Sequence, residues 1–308
     1  MAGRGGPRTV GRMMRTVKLL IAAALLALSL ALASPGRASA SRSLIVFDTS
    51  EGGGPSKVYA VHPDGSGLHK LAGPGAFLPR VSPSGDLVAY ASDATGNAEV
   101  WVVRPDGTGR RQVTHSPDFD SIAPSFSPDG ATIAFSRCSH FLGTCDIAVI
   151  GLDGRGLRIV KGGYWHHGNP VYSPNGKRIA FDSDQGGFET LVRIMSGSGG
   201  PSHSITPVAL TGFRPDWSAN GRWITSTGNL RQGQIILSHP DGSGLHAITA
   251  AGEEFIFGAF SPDSQMIVAE NAGAPDRGLE LMNIDGTHRQ PISGLPAGAG
   301  FPDWGGPA

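Results

Sequence analysis

The sequence predicts an all-β fold, a six-bladed β-propeller with four antiparallel strands per blade, and three observations carry that prediction. A Ser-Pro-Asp-Gly type of turn recurs with Ser82, Ser127, Ser173, Ser218 and Ser261 in equivalent places, at steps of 45, 46, 45 and 43 residues. Each period holds four short β-rich runs and no stretch with a 3.6-residue apolar repeat. The first period lacks its opening strand, and the end of the chain carries a match for it. Periods of this length built from four strands read as propeller blades.

Residues 1–40 read as a secretory signal peptide. Arg4, Arg8, Arg12, Arg15 and Lys18 make a basic start, Leu19 to Ala33 an apolar run, and Ala38-Ser-Ala40 a small-residue cleavage site. The apolar run has 15 residues, short for a membrane span, which leaves an uncleaved anchor as the alternative. No Cys lies near the cleavage site and no adjacent arginine pair precedes the run, against lipid attachment and the twin-arginine route. The expected product is exported, periplasmic or extracellular, with no transmembrane segment after cleavage near Ala40. Without residues 1–40 the chain carries 19 Lys+Arg against 25 Asp+Glu, about −6, which gives no footprint for nucleic acid.

Residues 41–308 form the propeller domain. The strands of a blade are A to D in chain order. Ser43-Leu-Ile-Val-Phe-Asp-Thr49 resembles a B strand, Lys57-Val-Tyr-Ala-Val61 follows as C, and Leu68-His-Lys-Leu71 as D. The A–B turn has a mechanism: proline presets φ, Asp bonds to nearby backbone, and Gly accepts positive φ. The C–D turn is the second signal, as in Pro63-Asp-Gly-Ser-Gly67 and Pro105-Asp-Gly-Thr-Gly109. Among the 46 Gly and 23 Pro, glycines and prolines recur at these fixed offsets, where they punctuate strands and do not signal disorder. Ser264 replaces the usual turn Gly in the last full repeat.

Phe301-Pro-Asp-Trp-Gly305 matches Arg214-Pro-Asp-Trp-Ser218 and is expected to supply strand A of the blade that Leu44 begins. Closure of that kind removes the exposed sheet edges of an open array. Val81, Phe126, Tyr172, Trp217, Phe260 and Trp304 precede the turn serine or its equivalent and are expected to form the inter-blade core near the axis. Arg80, Asp216 and Asp303 share the repeat position after the A-strand proline; Arg80 and Asp303 fall in adjacent blades and are expected to pair at the axis. Cys138 and Cys145, the two cysteines of the chain, flank one B–C loop and are expected to be bridged in an exported protein.

The repeats are similar to those of the TolB family of WD-like propellers, marked by Pro-x-aromatic-Ser-Pro-Asp-Gly followed by an Ile-Ala-Phe strand. The resemblance covers nearly all of residues 43–305 and is specific for fold, weak for function. It implies an additional α/β domain in TolB proper, for which no stretch precedes Ser43 here. Similar propellers also cap prolyl-oligopeptidase-like hydrolases or act as polysaccharide lyases with metal-binding His and Gln. No Gly-x-Ser-x-Gly elbow occurs in this chain, and no lyase ligand set is recognisable.

Function is therefore sought on the variable loops. The D–A and B–C loops open on one mouth of the ring; the short, stereotyped A–B and C–D turns are expected to close the other. Candidate binding residues on the open mouth are His115 and Asp118, with Asp120 beside them, His140 in the stapled loop, Trp165, His166 and His167 before the fourth blade, and Glu254 before the sixth. Adjacent histidines on an extended chain point apart, so His166 and His167 do not read as a metal pair. No catalytic residue, metal or cofactor is assigned. The expectation is a monomeric, non-catalytic binding module for an envelope protein, peptide or cell-wall fragment. The alternative is a metal-dependent hydrolase or lyase with its site in the central funnel.

Overall fold

The structure, a computed structural model, describes residues 43–49, 54–185, 187, 189–228, 233–275 and 277–307, together with Met1. The chain separates into residues 1–39 and 40–308. The signal-peptide reading of residues 1–40 lies, Met1 apart, outside the described residues.

Among the described residues twenty-four strands, numbered in chain order, form six four-stranded antiparallel sheets. The A strands are β4 (Ala76–Val81), β8 (Phe119–Phe126), β12 (His167–Tyr172), β16 (Gly212–Trp217), β20 (Phe255–Phe260) and β24 (Ala299–Gly305). Each A strand packs on its neighbours in the ring, β24 on β4 at one side and on β20 at the other. Blade 1 is therefore β24 followed by β1 (Leu44–Thr49), β2 (Lys57–Val61) and β3 (His69–Ala72). Leu44 pairs with Gly305, Ile45 with Trp304 and Thr49 with Ala299, so the last strand of the chain completes the sheet that the first begins.

The turn chemistry uses the serine as well as the Asp. Oγ of Ser82, Ser127, Ser173, Ser218 and Ser261 accepts the backbone N–H of the residue five places on, at 2.9–3.0 Å, and so closes each A–B turn. Ser127 Oγ also donates to Asp129, which holds that carboxylate below its ordinary pKa. Ser264 adopts φ +60° in place of the usual Gly and accepts the N–H of Asn220 from blade 5 at 3.1 Å.

Every A strand contains a bulge, and each bulge carries a non-glycine residue at positive φ: Leu78, Ala123, Asn169, Arg214, Phe257 and Phe301, between +48° and +56°. Such backbone is sparsely populated and persists only where neighbours enforce it. Here the B strand of the preceding blade does so. Asp48 accepts the N–H of Leu78, Ser136 that of Asn169, Asp182 that of Arg214, Thr227 that of Phe257 and Glu270 that of Phe301, at 2.7–3.2 Å. The sixth equivalent position is Ala91, whose side chain has no acceptor. These latches tie one blade to the next. Apolar clusters fill the same seams: Phe126 packs with Val100 and Phe135, Trp217 with Val192 and Ile205, and Trp304 with Ile45 and Leu281.

Two buried groups give stability opposite pH dependences. Burial pushes the Asp48 carboxyl up to about 6, the Leu78 hydrogen bond only partly offsetting it. The folded protein thus binds this proton more readily than the unfolded chain, and Asp48 makes folding more favourable as pH falls from 7 through 6. His167 is pushed down to about 4, first by burial and then by Lys161. The folded protein refuses a proton that the unfolded chain accepts near 6.5, so His167 makes folding less favourable as pH falls from 6.5 towards 4. Asp48→Asn keeps an acceptor for Leu78 and removes the first effect. It is expected to stabilise the protein by up to about 3 kcal/mol at pH 7, with the gain vanishing near pH 4. Urea midpoints between pH 4 and 8 check this; a variant less stable than the parent at pH 7 contradicts it.

Candidate functional site

The six A strands converge on the axis, and what they place there depends on the residue after each A-strand proline or its equivalent. The set is Arg80, Ser125, Val171, Asp216, Ala259 and Asp303. Arg80 Nη1 donates to Asp303 in adjacent blade 1 and to Asp216 in blade 5, opposite, each at 2.7 Å. The expected pair of Arg80 with Asp303 is thus one arm of a triad that crosses the axis. The second oxygen of each carboxylate accepts a backbone N–H of the next blade, Val81 at 2.7 Å for Asp303 and Phe260 at 2.9 Å for Asp216. Burial works against the charge on Arg80, but the two carboxylates outweigh it and hold the guanidinium charged more firmly than usual. Burial keeps the Asp216 carboxyl above its ordinary range despite Arg80.

Beyond the triad, towards the A–B turns, lies a cavity of about 380 Å³. Its walls are Val81, Phe126, Tyr172, Trp217, Phe260 and Trp304; its rim is Pro83, Pro128, Pro174, Pro262 and the exposed Ala219; its floor is Arg80, Asp216 and Asp303. The tail closes the ring of walls beside Gly85, where an added Cβ would come within 3.1 Å of Gly306 Cα. This bowl opens at the end of the ring whose short turns read as closed. Small residues lining it in two blades, Ser125 and Val171, leave space that long side chains there would fill.

On the other side of the triad the axis is packed. Arg214 is 6 % exposed and lies over the rings of Phe257 and Phe301, at 5.0 and 4.6 Å, which stack on each other at 4.3 Å. Burial, helped by Arg80, brings its pKa down to about 10. A void of about 10 Å³ between Arg80 and Arg214 has room for about one water.

None of the residues predicted for the open mouth lines the bowl. His140 Nε2 lies 3.3 Å from Asp120 Oδ1, and that oxygen also accepts the Ala98 N–H. His140 donates its backbone N–H to the Asp118 carbonyl at 3.3 Å. His115, His166 and Glu254 are exposed. His167 opens β12 and is fully buried, its Nδ1 2.8 Å from Ser183 Oγ and its ring edge-on to Phe181, so the two histidines do point apart. Among the described residues no three His, Cys, Asp or Glu side chains converge on a point that could hold a metal. Asp182 is a buried strand residue that serves a latch.

The stapled loop is as expected: Cys138 and Cys145 are directly opposed and disulfide-bonded. Phe141 and Leu142 at its tip are 84 % and 72 % exposed. Tyr164 and Trp165 in the next loop are exposed too. Replacing both cysteines by Ser is expected to cost about 2–3 kcal/mol from the freed loop in the unfolded chain. Urea midpoints of the parent and double variant check it, and coincident midpoints contradict it.

Residues 74–307 match the family described as TolB beta propeller domain. TolB from Acinetobacter baumannii superposes with a TM-score of 0.75 at 19% identity, covering 87% of this chain and 67% of its own. A putative TolB from Agrobacterium tumefaciens gives 0.64 at 22% identity, covering 84% of this chain and 91% of its own. An uncharacterised peptidase, YuxL of Bacillus subtilis strain 168, is 35% identical over 77 residues, and the match spans only 12% of that protein.

Proposed function

The chain belongs to the TolB β-propeller domain family, and from that premise we propose that it is an exported, non-catalytic binding module of the cell envelope, receiving its ligand in the A–B bowl. The observation that carries the reading is the bowl itself, about 380 Å³ with aromatic walls. Ligand sites are concave and mostly apolar, with a few placed polar groups, and this cavity has that make-up. Its charged floor is tied into fixed hydrogen bonds on both sides, an arrangement suited to holding a ligand and not to moving protons. The partner is an envelope protein, a peptide or a cell-wall fragment, met by a monomer. Export rests on the basic start, apolar run and Ala38-Ser-Ala40 of the sequence.

A second reading puts the contact on the D–A and B–C mouth. It is favoured by the exposed Phe141, Leu142, Tyr164 and Trp165 of two neighbouring loops.

Capture from an envelope extract by residues 41–308 separates the two. Ala219→Trp narrows the rim from an exposed position and is expected to lose the partner, while Trp165→Ala keeps it. Loss in Trp165→Ala alone favours the second reading. Surface labelling of intact cells tests export, and protection of the protein by the cytoplasm contradicts it.

A further inference from the structure

We propose that the bowl selects a cationic group, an ammonium or guanidinium carried on an apolar stem. This rests on the bowl being the binding site. The floor holds one guanidinium, Arg80, and two carboxylates, Asp216 and Asp303, so its formal charge is −1. The other three blades contribute Ser125, Val171 and Ala259 at the same level and add no charge. Both carboxylates share a single Arg80 nitrogen, Nη1, and spend their remaining oxygens on the Val81 and Phe260 amides. Neutral amide donors orient the carboxylates without cancelling the second negative charge.

The walls favour the same sign. Aromatic faces carry negative charge density and attract cations, more strongly where water is excluded. Phe126, Tyr172, Trp217, Phe260 and Trp304 surround the cavity. An anion of equal size meets both the carboxylates and the ring faces unfavourably. A neutral ring fills the walls but leaves the floor uncompensated.

Three probes with one ring and different charge test this: benzylammonium, benzyl alcohol and benzoate, titrated against residues 41–308. The side-chain indole resonances of Trp217 and Trp304 report occupancy. Benzylammonium is expected to bind at least about tenfold more tightly than benzyl alcohol, and benzoate more weakly than either. Asp303→Asn neutralises the floor and is expected to weaken benzylammonium about tenfold, leaving only the preference that the aromatic walls supply over the alcohol. Ser125→Asp retains the whole triad and adds a charge, and is expected to tighten benzylammonium about tenfold. Equal binding of alcohol and ammonium, or tighter binding of benzoate, overturns the charge preference and leaves the bowl as a site. Unmoved indoles with all three probes overturn the bowl as well.

Discussion

Deleting residues 299–307 is expected to abolish the cooperative fold. That segment is the whole of β24, which pairs with β1 and packs on β4 and β20. Its loss removes Trp304 from the seam between blades 6 and 1, a change of roughly 3–5 kcal/mol by itself. It also strips Arg80 of Asp303 and bares the hydrogen-bonding edge of β1. Domains of this kind have margins of about 5–15 kcal/mol, so the combined loss leaves little. A broad, non-cooperative thermal transition with lost near-ultraviolet dichroism is the expected result. A circular permutant makes the control: it joins Pro307 to Ser43 by a short turn and opens the chain between Gly73 and Pro74. It keeps every strand and is expected to melt as the parent does. A truncated chain that still melts sharply near the parent's temperature contradicts the sealed ring.

Arg80→Ala is expected to destabilise by about 3–5 kcal/mol, because it leaves Asp216 and Asp303 buried and facing each other without a counter-charge. The loss comes from the orphaned carboxylates more than from the net worth of the triad. Two consequences distinguish this from simple cavity formation. Without Arg80 the folded carboxylates hold protons at higher pH than the unfolded ones, so the deficit should shrink as pH falls from 7 towards 4. Adding Asp216→Asn and Asp303→Asn should recover most of it, since amide side chains still have an oxygen for the Val81 and Phe260 N–H groups. Chemical denaturation of the three proteins at pH 7 and pH 4.5 measures both effects. A deficit independent of pH, or a triple variant no better than the single one, contradicts the assignment.

The fold was legible because it is written six times. A turn fixed by Ser127, Pro128, Asp129 and Gly130 needs only local chemistry, and repetition at a constant interval turned local signals into an architecture. The match of Phe301–Gly305 to Arg214–Ser218 disclosed closure, and a shared offset disclosed the pairing of Arg80 with Asp303. The part of Asp216 was harder to see: it lies in the blade opposite Arg80, and a one-dimensional offset does not show that a guanidinium can span the axis.

The latches stayed hidden for a physical reason. Their acceptors occupy one repeat position, but as Asp48, Ser136, Asp182, Thr227 and Glu270 they have only an oxygen in common, and Ala91 breaks the series. Their donors sit on positive-φ residues that are not glycine, and five of the six precede proline, a context that ordinarily reads as extended chain. The bowl was missed because turn length was read as closure. The short turns rim an opening that Ser125 and Val171 line one layer inside, where longer side chains would fill it. His167 looked like a mouth residue because its neighbour His166 is one; alternation along β12 turns it inward.

The bowl as the binding site is tested most directly by site-specific photo-cross-linking. A photoreactive benzophenone side chain at Ala219, on the bowl rim, is compared with the same group at His166, on the opposite mouth, in cells making the exported chain. A partner adduct is expected from position 219 and none from position 166. An adduct from 166 with none from 219 would contradict it.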